Sequence, residues 1–214
     1  MSVQRVSIVD HGTGNLFSVA RALEHLGAQP ELVSTPEDIV RADRLILPGV
    51  GAFGDCAAAV RRLGLAEPIL DHAERRPLLG ICLGMQLLFD GSDEMGEHVG
   101  LGIIPGHVRR LPTTDADGRS VKIPHIGWDT LLMPASRATW QGSVLERLEE
   151  GEPVYFVHSY APEPSRPEDS LAEVSFAAQR VAVAVQRGGV AGCQFHPERS
   201  GPAGLDILQA FLTL

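Results

Sequence analysis

Along the chain, short runs of apolar residues alternate with segments whose apolar positions recur at helical spacing. Val3 to Val9 reads as a first strand, Leu16 to Leu26 as a helix, and Gln29 to Ser34 as a second strand. Thr35-Pro36-Glu37-Asp38 has the form of a helix start: a capping hydroxyl, proline in the first turn, and acids near the positive end of the axis. Arg44 to Leu47 is a third strand that runs into "PGVGAFGD". Helices are predicted over Cys56 to Leu63 and Ala66 to Arg75. Leu78 to Ile81 then reads as a buried strand, and Met85 to Phe89 as a helix.

After Asp90 the regime changes. Short strands are predicted at Leu101–Ile104, His107–Leu111, Val121–Ile123 and Thr130–Leu132, followed by Val154–Val157, Leu171–Phe176, Val181–Val185 and Val190–Phe195. The last two suit a hairpin around Arg187-Gly188-Gly189. "APEPSRPEDS", Ala161 to Ser170, reads as a loop too short to join domains. Pro202 to Leu214 is a terminal helix. Strand–helix alternation predicts an α/β class: a central, mostly parallel mixed sheet flanked by helices, with smaller antiparallel strands, in one domain over residues 1–214.

A formal net charge of −9 argues against nucleic acid or an anionic membrane as the main partner. The start "MSVQRVSIVD" lacks a signal-type apolar stretch, so a cytoplasmic location is expected. Three cysteines stand far apart with no C-x-x-C pair, which suits a reduced compartment. The eight histidines lack H-x-x-x-H spacing, so neither a metal site nor a cofactor is expected.

The candidate chemistry starts at "GICLG". Cys82 stands at the junction of a strand and a helix, between Gly80 and Gly84. Such a corner crowds the backbone, and neighbours without side chains relieve it. The form G-x-C-x-G is that of a nucleophile elbow with cysteine in place of serine. The following helix aims its N–H groups at the corner and favours thiolate. A buried structural cysteine is the other reading of this stretch.

A base is offered by "GCQFHPERS". His196 falls at a strand end, and Pro197 holds it extended, so that His196 and Glu198 point the same way. Glu198 then orients the imidazole, leaving the other ring nitrogen as the base. "LPGVGAFGD" holds three glycines in six residues at a strand end, which lets backbone N–H groups of Gly49, Val50 and Gly51 turn toward a developing oxyanion; an ordinary glycine-rich turn is the other reading of this stretch. Cys193 reads as core.

With these elements in view, "GICLGMQLLF" and "QFHPE" resemble the signatures of the class I (triad) glutamine amidotransferases. "DHGTGNLFSV", "LPGVGAFGD", "KIPHIGWD" and "YFVHSY" are similar to segments of one group within them, the glutaminase subunits of imidazole glycerol phosphate synthase. These matches span essentially the whole chain. The resemblance implies that Cys82 is the nucleophile, His196 the general acid and base, and Glu198 its orienter. It implies an oxyanion strand around Val50 and Gly51, with Leu83 supplying a second N–H. Gly80, Gln86, Glu94, His158, Ser159 and Tyr160 would bind glutamine. Asn15, Pro124, His125, Gly127, Trp128 and Arg199 would meet a partner, a (βα)₈-barrel cyclase that receives ammonia in a heterodimer of histidine biosynthesis. His11, Asp129 and Arg199 depart from the group's usual tyrosine, asparagine and lysine.

Two other readings follow from the same residues. A glutaminase subunit for anthranilate or aminodeoxychorismate synthesis would share the triad, but with a P-G-G-P type loop. A nucleotide-binding module would use "GTGN", which follows a strand and opens a helix. There Phe17 stands where a third glycine is required.

Overall fold

The computed structural model describes residues 4–214, so the predicted start of the first strand at Val3 lies outside the described residues. In chain order the first half contains β1 (Arg5–Val9), α1 (Leu16–His25), β2 (Gln29–Val33), α2 (Pro36–Arg41), β3 (Leu45–Gly49), α3 (Phe53–Arg62), α4 (Ala66–Ala73), β4 (Leu78–Cys82) and α5 (Leu83–Gln86). Next come β5 (Gly91–Ser92), β6 (His98–Val99), β7 (Gly106–Arg110), β8 (His125–Thr130), β9 (Pro153–His158) and β10 (Tyr160–Pro164). The chain ends with β11 (Ser170–Phe176), β12 (Gln179–Arg187), β13 (Val190–Cys193) and α6 (Gly201–Thr213).

The central sheet has seven strands in the order β11-β12-β13-β4-β3-β1-β2. From β13 to β2 all neighbours are parallel, whereas β11 and β12 extend the sheet antiparallel. Both faces are covered. On β3, Leu45 and Leu47 pack with Ile39, Val60 and Ile69 of α2–α4, while Ile46 packs on the other side with Leu23 of α1 and Phe211 of α6. Burial on both faces is why such strands read as unbroken apolar runs. The predicted cap on α2 forms: Asp38 N donates to Thr35 Oγ1 at 3.3 Å.

Among the described residues two smaller sheets complete the fold, a four-stranded one in the order β10-β7-β5-β6 and the β8–β9 pair. Here the strands depart most from the apolar pattern of the chain. Leu101–Ile104 is not a strand. Its N–H groups are spent on the carbonyls of Leu87, Leu88 and Phe89, closing the chain end beyond α5 rather than a ladder. Val121–Ile123 is irregular, and Leu132 makes only an isolated bridge to Glu173; the strand lies earlier, at His125–Thr130. The stretch read as a loop from Ala161 includes most of β10, paired with β7. Pro162 and Pro164 concealed it, and they are tolerated because β10 is an edge strand. Among the described residues, no helix is long and apolar enough to cross a membrane.

Candidate active site

Three adjacent parallel strands, β3, β4 and β13, deliver the candidate groups at their carboxyl ends, where open α/β sheets carry their ligands. Cys82 ends β4 with φ 54° and ψ −112°, a left-handed conformation for a residue with a Cβ. Holding it costs about 1–3 kcal/mol, which the packing around the corner must sustain. The two glycines show how. A Cβ on Gly84 would lie 1.7 Å from the Leu47 carbonyl oxygen, and one on Gly80 would lie 2.7 Å from Met85 N. Only glycine lets α5 settle this tightly over β3 and β4. Gly80, predicted to bind glutamine, is thus a packing residue buried beneath α5 and does not line the cavity described below.

His196 is extended, as expected before proline, but the chain then enters a 3₁₀ turn at Pro197–Arg199 instead of continuing straight. The turn still brings the two side chains together: His196 Nδ1–H donates to Glu198 Oε1 at 2.9 Å. Asn15 Nδ2 donates to the same oxygen at 3.2 Å. The His196 and Glu198 side chains are both buried, at 5% and 0% exposure. Burial works against the imidazolium, but the Cys82 and Glu198 side chains outweigh it and push the His196 pKa up to about 10. Nε2, the ring nitrogen not engaged by Glu198, makes no hydrogen bond among the described residues. Burial pushes Cys56 up to about 12 and also raises Cys193, so both remain thiols.

A cavity of about 290 Å³ opens over the thiol. Cys82 and His196 share it with Val50, Gly51 and Leu83. Gly49 stands just behind them as the parallel-register partner of Cys82, buried within β3. The far wall is formed by Gln86 and Glu94 together with His158, Ser159 and Tyr160. Glu94 Oε2 accepts from Phe53 N at 2.7 Å, tying the wall to the start of α3. Pro124 also reaches the cavity. A larger cleft of about 350 Å³ lies between β7, β10 and the β11–β12 edge, and it contains none of these groups.

The expected partner-facing residues divide. Trp128 is 58% exposed and Arg199 stacks over Tyr155 at 4.5 Å, both on the outer side. Asn15 is occupied with Glu198, and Gly127 sits mid-ribbon opposite Phe156. His125 turns inward, with Nδ1 3.1 Å from His158 Nε2 and Nε2 3.3 Å from Asp129 Oδ2. His158 Nδ1–H donates to the Tyr160 carbonyl at 2.9 Å, and burial drives its pKa down to about 4. The cavity wall is therefore held by a neutral histidine.

One residue beside the thiol escaped the sequence reading. Gln194, fully buried, places Nε2 3.7 Å from Cys82 Sγ and accepts from Gln86 Nε2 at 2.9 Å. Its trace was a lone amide in the apolar run "VAGCQF".

Fold and site together define a class: α/β enzymes that attack a carbonyl with a thiolate and pass through an acyl-enzyme. The family model for glutamine amidotransferase class-I matches residues 7–214, and the chain belongs to that family. It is 46% identical to the imidazole glycerol phosphate synthase subunit HisH 1 of Legionella pneumophila (strain Lens) over 210 residues, covering 98% of this chain and 99% of that one. Identity to the imidazole glycerol phosphate synthase subunit HisH of Moorella thermoacetica is 43% over 207 residues, 96% and 93% of the two chains. Among solved structures, PurLQS from Thermotoga maritima superposes with a TM-score of 0.73 at 21% identity, covering 99% of each chain.

Proposed function

We propose that this chain is the glutaminase subunit of an imidazole glycerol phosphate synthase. The observation that carries the reading is the meeting of a left-handed elbow cysteine with the buried His196–Glu198 pair in one cavity. Full-length likeness to subunits of that enzyme supports the choice within the family.

In this mechanism the Cys82 thiolate attacks the side-chain carboxamide of L-glutamine. The tetrahedral oxyanion is received by N–H groups of the Gly49–Gly51 strand and of Leu83. His196 gives its proton to the leaving ammonia, and water, deprotonated by His196, hydrolyses the glutamyl thioester. Glu198 keeps the imidazole oriented throughout. Gln86, Glu94 and the His158–Tyr160 backbone hold the substrate. Ammonia then passes to a (βα)₈-barrel cyclase for synthesis of imidazole glycerol phosphate and the carboxamide ribotide.

The surface beside the cavity favours such a partner. Val50, Ile126, Trp128 and Val157 are exposed apolar side chains, with Val50 and Val157 at the cavity itself and Ile126 and Trp128 on the adjoining ribbon. An apolar patch beside a catalytic mouth is the mark of an interface. A single compact domain over the whole chain and a role in the cytoplasm complete the reading.

Glutamate release from L-glutamine tests it, measured for the chain alone and with the cyclase plus its ribulosyl nucleotide. Hydrolysis that rises in the complex and vanishes in Cys82→Ala is expected. Hydrolysis indifferent to the cyclase would transfer the assignment to another amidotransferase, and none in any combination would overturn the mechanism.

A further inference from the structure

Between the end of β1, the end of β3 and α3 lies a buried histidine that the reaction above leaves unused. His11 is 2% exposed, and its Nε2 lies 2.7 Å from the carbonyl oxygen of Pro48. A carbonyl only accepts, so Nε2 carries the hydrogen. Nδ1 then presents a lone pair, and the Thr13 hydroxyl stands 3.2 Å away to donate to it. The neutral Nε2–H tautomer satisfies both contacts. Cys56 Sγ lies 3.7 Å from each ring nitrogen, so the thiol packs against the ring instead of capping one atom. The Pro48 and Thr13 contacts thus agree on one ring orientation and one tautomer.

What His11 holds is the root of the oxyanion strand. Pro48 has its φ fixed by its ring, which leaves ψ to set where its carbonyl points. That carbonyl and the N–H of Gly49 belong to one planar peptide unit, so anchoring the oxygen also fixes the N–H. The same peptide leads into Gly49, whose register partner is Cys82 and where an added Cβ would lie 3.0 Å from Gly84 N. Val50 and Gly51, the next two residues, line the cavity beside the thiol.

We infer that His11 is a positioning residue for the oxyanion side of the site: by holding the Pro48 carbonyl, it sets the plane from which the Gly49–Gly51 strand presents its N–H groups. The inference rests on the glutaminase reading and adds to it a residue without contact to substrate.

Steady-state glutamine hydrolysis by the complex with the cyclase tests this, using His11→Phe, which keeps a ring without a donor, and His11→Gln, which returns an N–H near the same place. Loss of one neutral hydrogen bond at this root is expected to lower kcat about tenfold in His11→Phe. KM should stay within about twofold of wild type, and His11→Gln should recover most of the rate. Alkylation of Cys82 by iodoacetamide, followed by mass spectrometry, needs no oxyanion donor and should be unchanged. An unaltered kcat in His11→Phe would overturn the inference. So would a fall in kcat matched by slower alkylation and not recovered in His11→Gln, since that is the signature of lost packing. Should either variant fail to fold, ¹⁵N NMR of wild-type His11 decides instead: an Nδ1–H tautomer would overturn it and Nε2–H would support it. Wild-type enzyme silent toward glutamine, like Cys82→Ala, would bring down the glutaminase reading and this inference with it.

Discussion

Gln194 Nε2 lies 3.7 Å from Cys82 Sγ while its own carbonyl takes the Gln86 amide at 2.9 Å. One buried side chain therefore ties Cys82 to the cavity wall. Gln86 Nε2 also donates to the Tyr160 carbonyl at 3.0 Å, so the network runs from the elbow to the residues proposed to hold glutamine. Replacing Gln194 by leucine removes the acceptor for one Gln86 hydrogen inside the protein. A stability loss of about 1–3 kcal/mol is expected in urea denaturation, the cost of an unpaired buried polar group. Steady-state kinetics should show kcat/KM falling about tenfold; unchanged kinetics would leave Gln194 with a packing role only.

The pH dependence of stability should have two limbs of opposite sign. His196 binds its proton more tightly folded than unfolded, with a pKa moved from 6.5 up to about 10. Between those values the native state carries the extra proton, so stability falls as pH rises. His158 is displaced the other way, to about 4, and His125 is lowered as well. There the unfolded chain takes the proton first, so stability falls as pH drops from about 6.5 toward 4. Urea titrations across pH should place the maximum between the limbs. Cys82→Ala, which removes one cause of the His196 shift, should flatten the alkaline limb; an equally steep limb in that variant would refute the attribution.

Gly84→Ala tests the packing of the elbow. The new methyl would have to displace either α5 or the Leu47 peptide on β3, since it would otherwise sit 1.7 Å from a carbonyl oxygen. Overpacking of this kind costs about 1–3 kcal/mol, and more where backbone must move. Chemical denaturation should register at least that loss, accompanied by near-complete loss of glutaminase activity. A variant of wild-type stability would mean that α5 shifts freely over β3.

Trp128 offers a test of the interface. It is 58% exposed, standing edge-on to Tyr155, whose ring carries Arg199. Little in this chain depends on the part of its indole that faces solvent. Trp128→Ala should therefore leave thermal unfolding within about 2 °C, given that surface changes stay within about 0.5 kcal/mol. Affinity for the cyclase should weaken by more than about tenfold, as for an aromatic anchor. Isothermal titration calorimetry reads both the affinity and its loss; equal affinities would remove Trp128 from the contact.

How much of this could be read beforehand varies along the chain. The strands buried on both faces, Leu45–Leu47 and Leu78–Ile81, declared themselves because every position there must be apolar. The elbow did so because a left-handed cysteine between close-packed layers requires glycine on each side, and that requirement is written in "GICLG". Pro197 made His196 extended, and the two-residue spacing put Glu198 within reach even though a 3₁₀ turn replaced the straight segment. Where neighbours far along the chain decide the outcome, the sequence was silent or misleading. Leu101–Ile104 is as apolar as a strand, yet its N–H groups go to the chain beyond α5. Edge prolines hid β10.

Local chemistry thus marked the candidate site in the sequence alone: a backbone corner, a proline-directed histidine and a carboxylate two residues on are short-range requirements that leave short-range marks. Tertiary structure alone decided what surrounds them. Gln194 and His11 act through partners 112 and 37 positions away, and no local pattern records a hydrogen bond closed across a sheet.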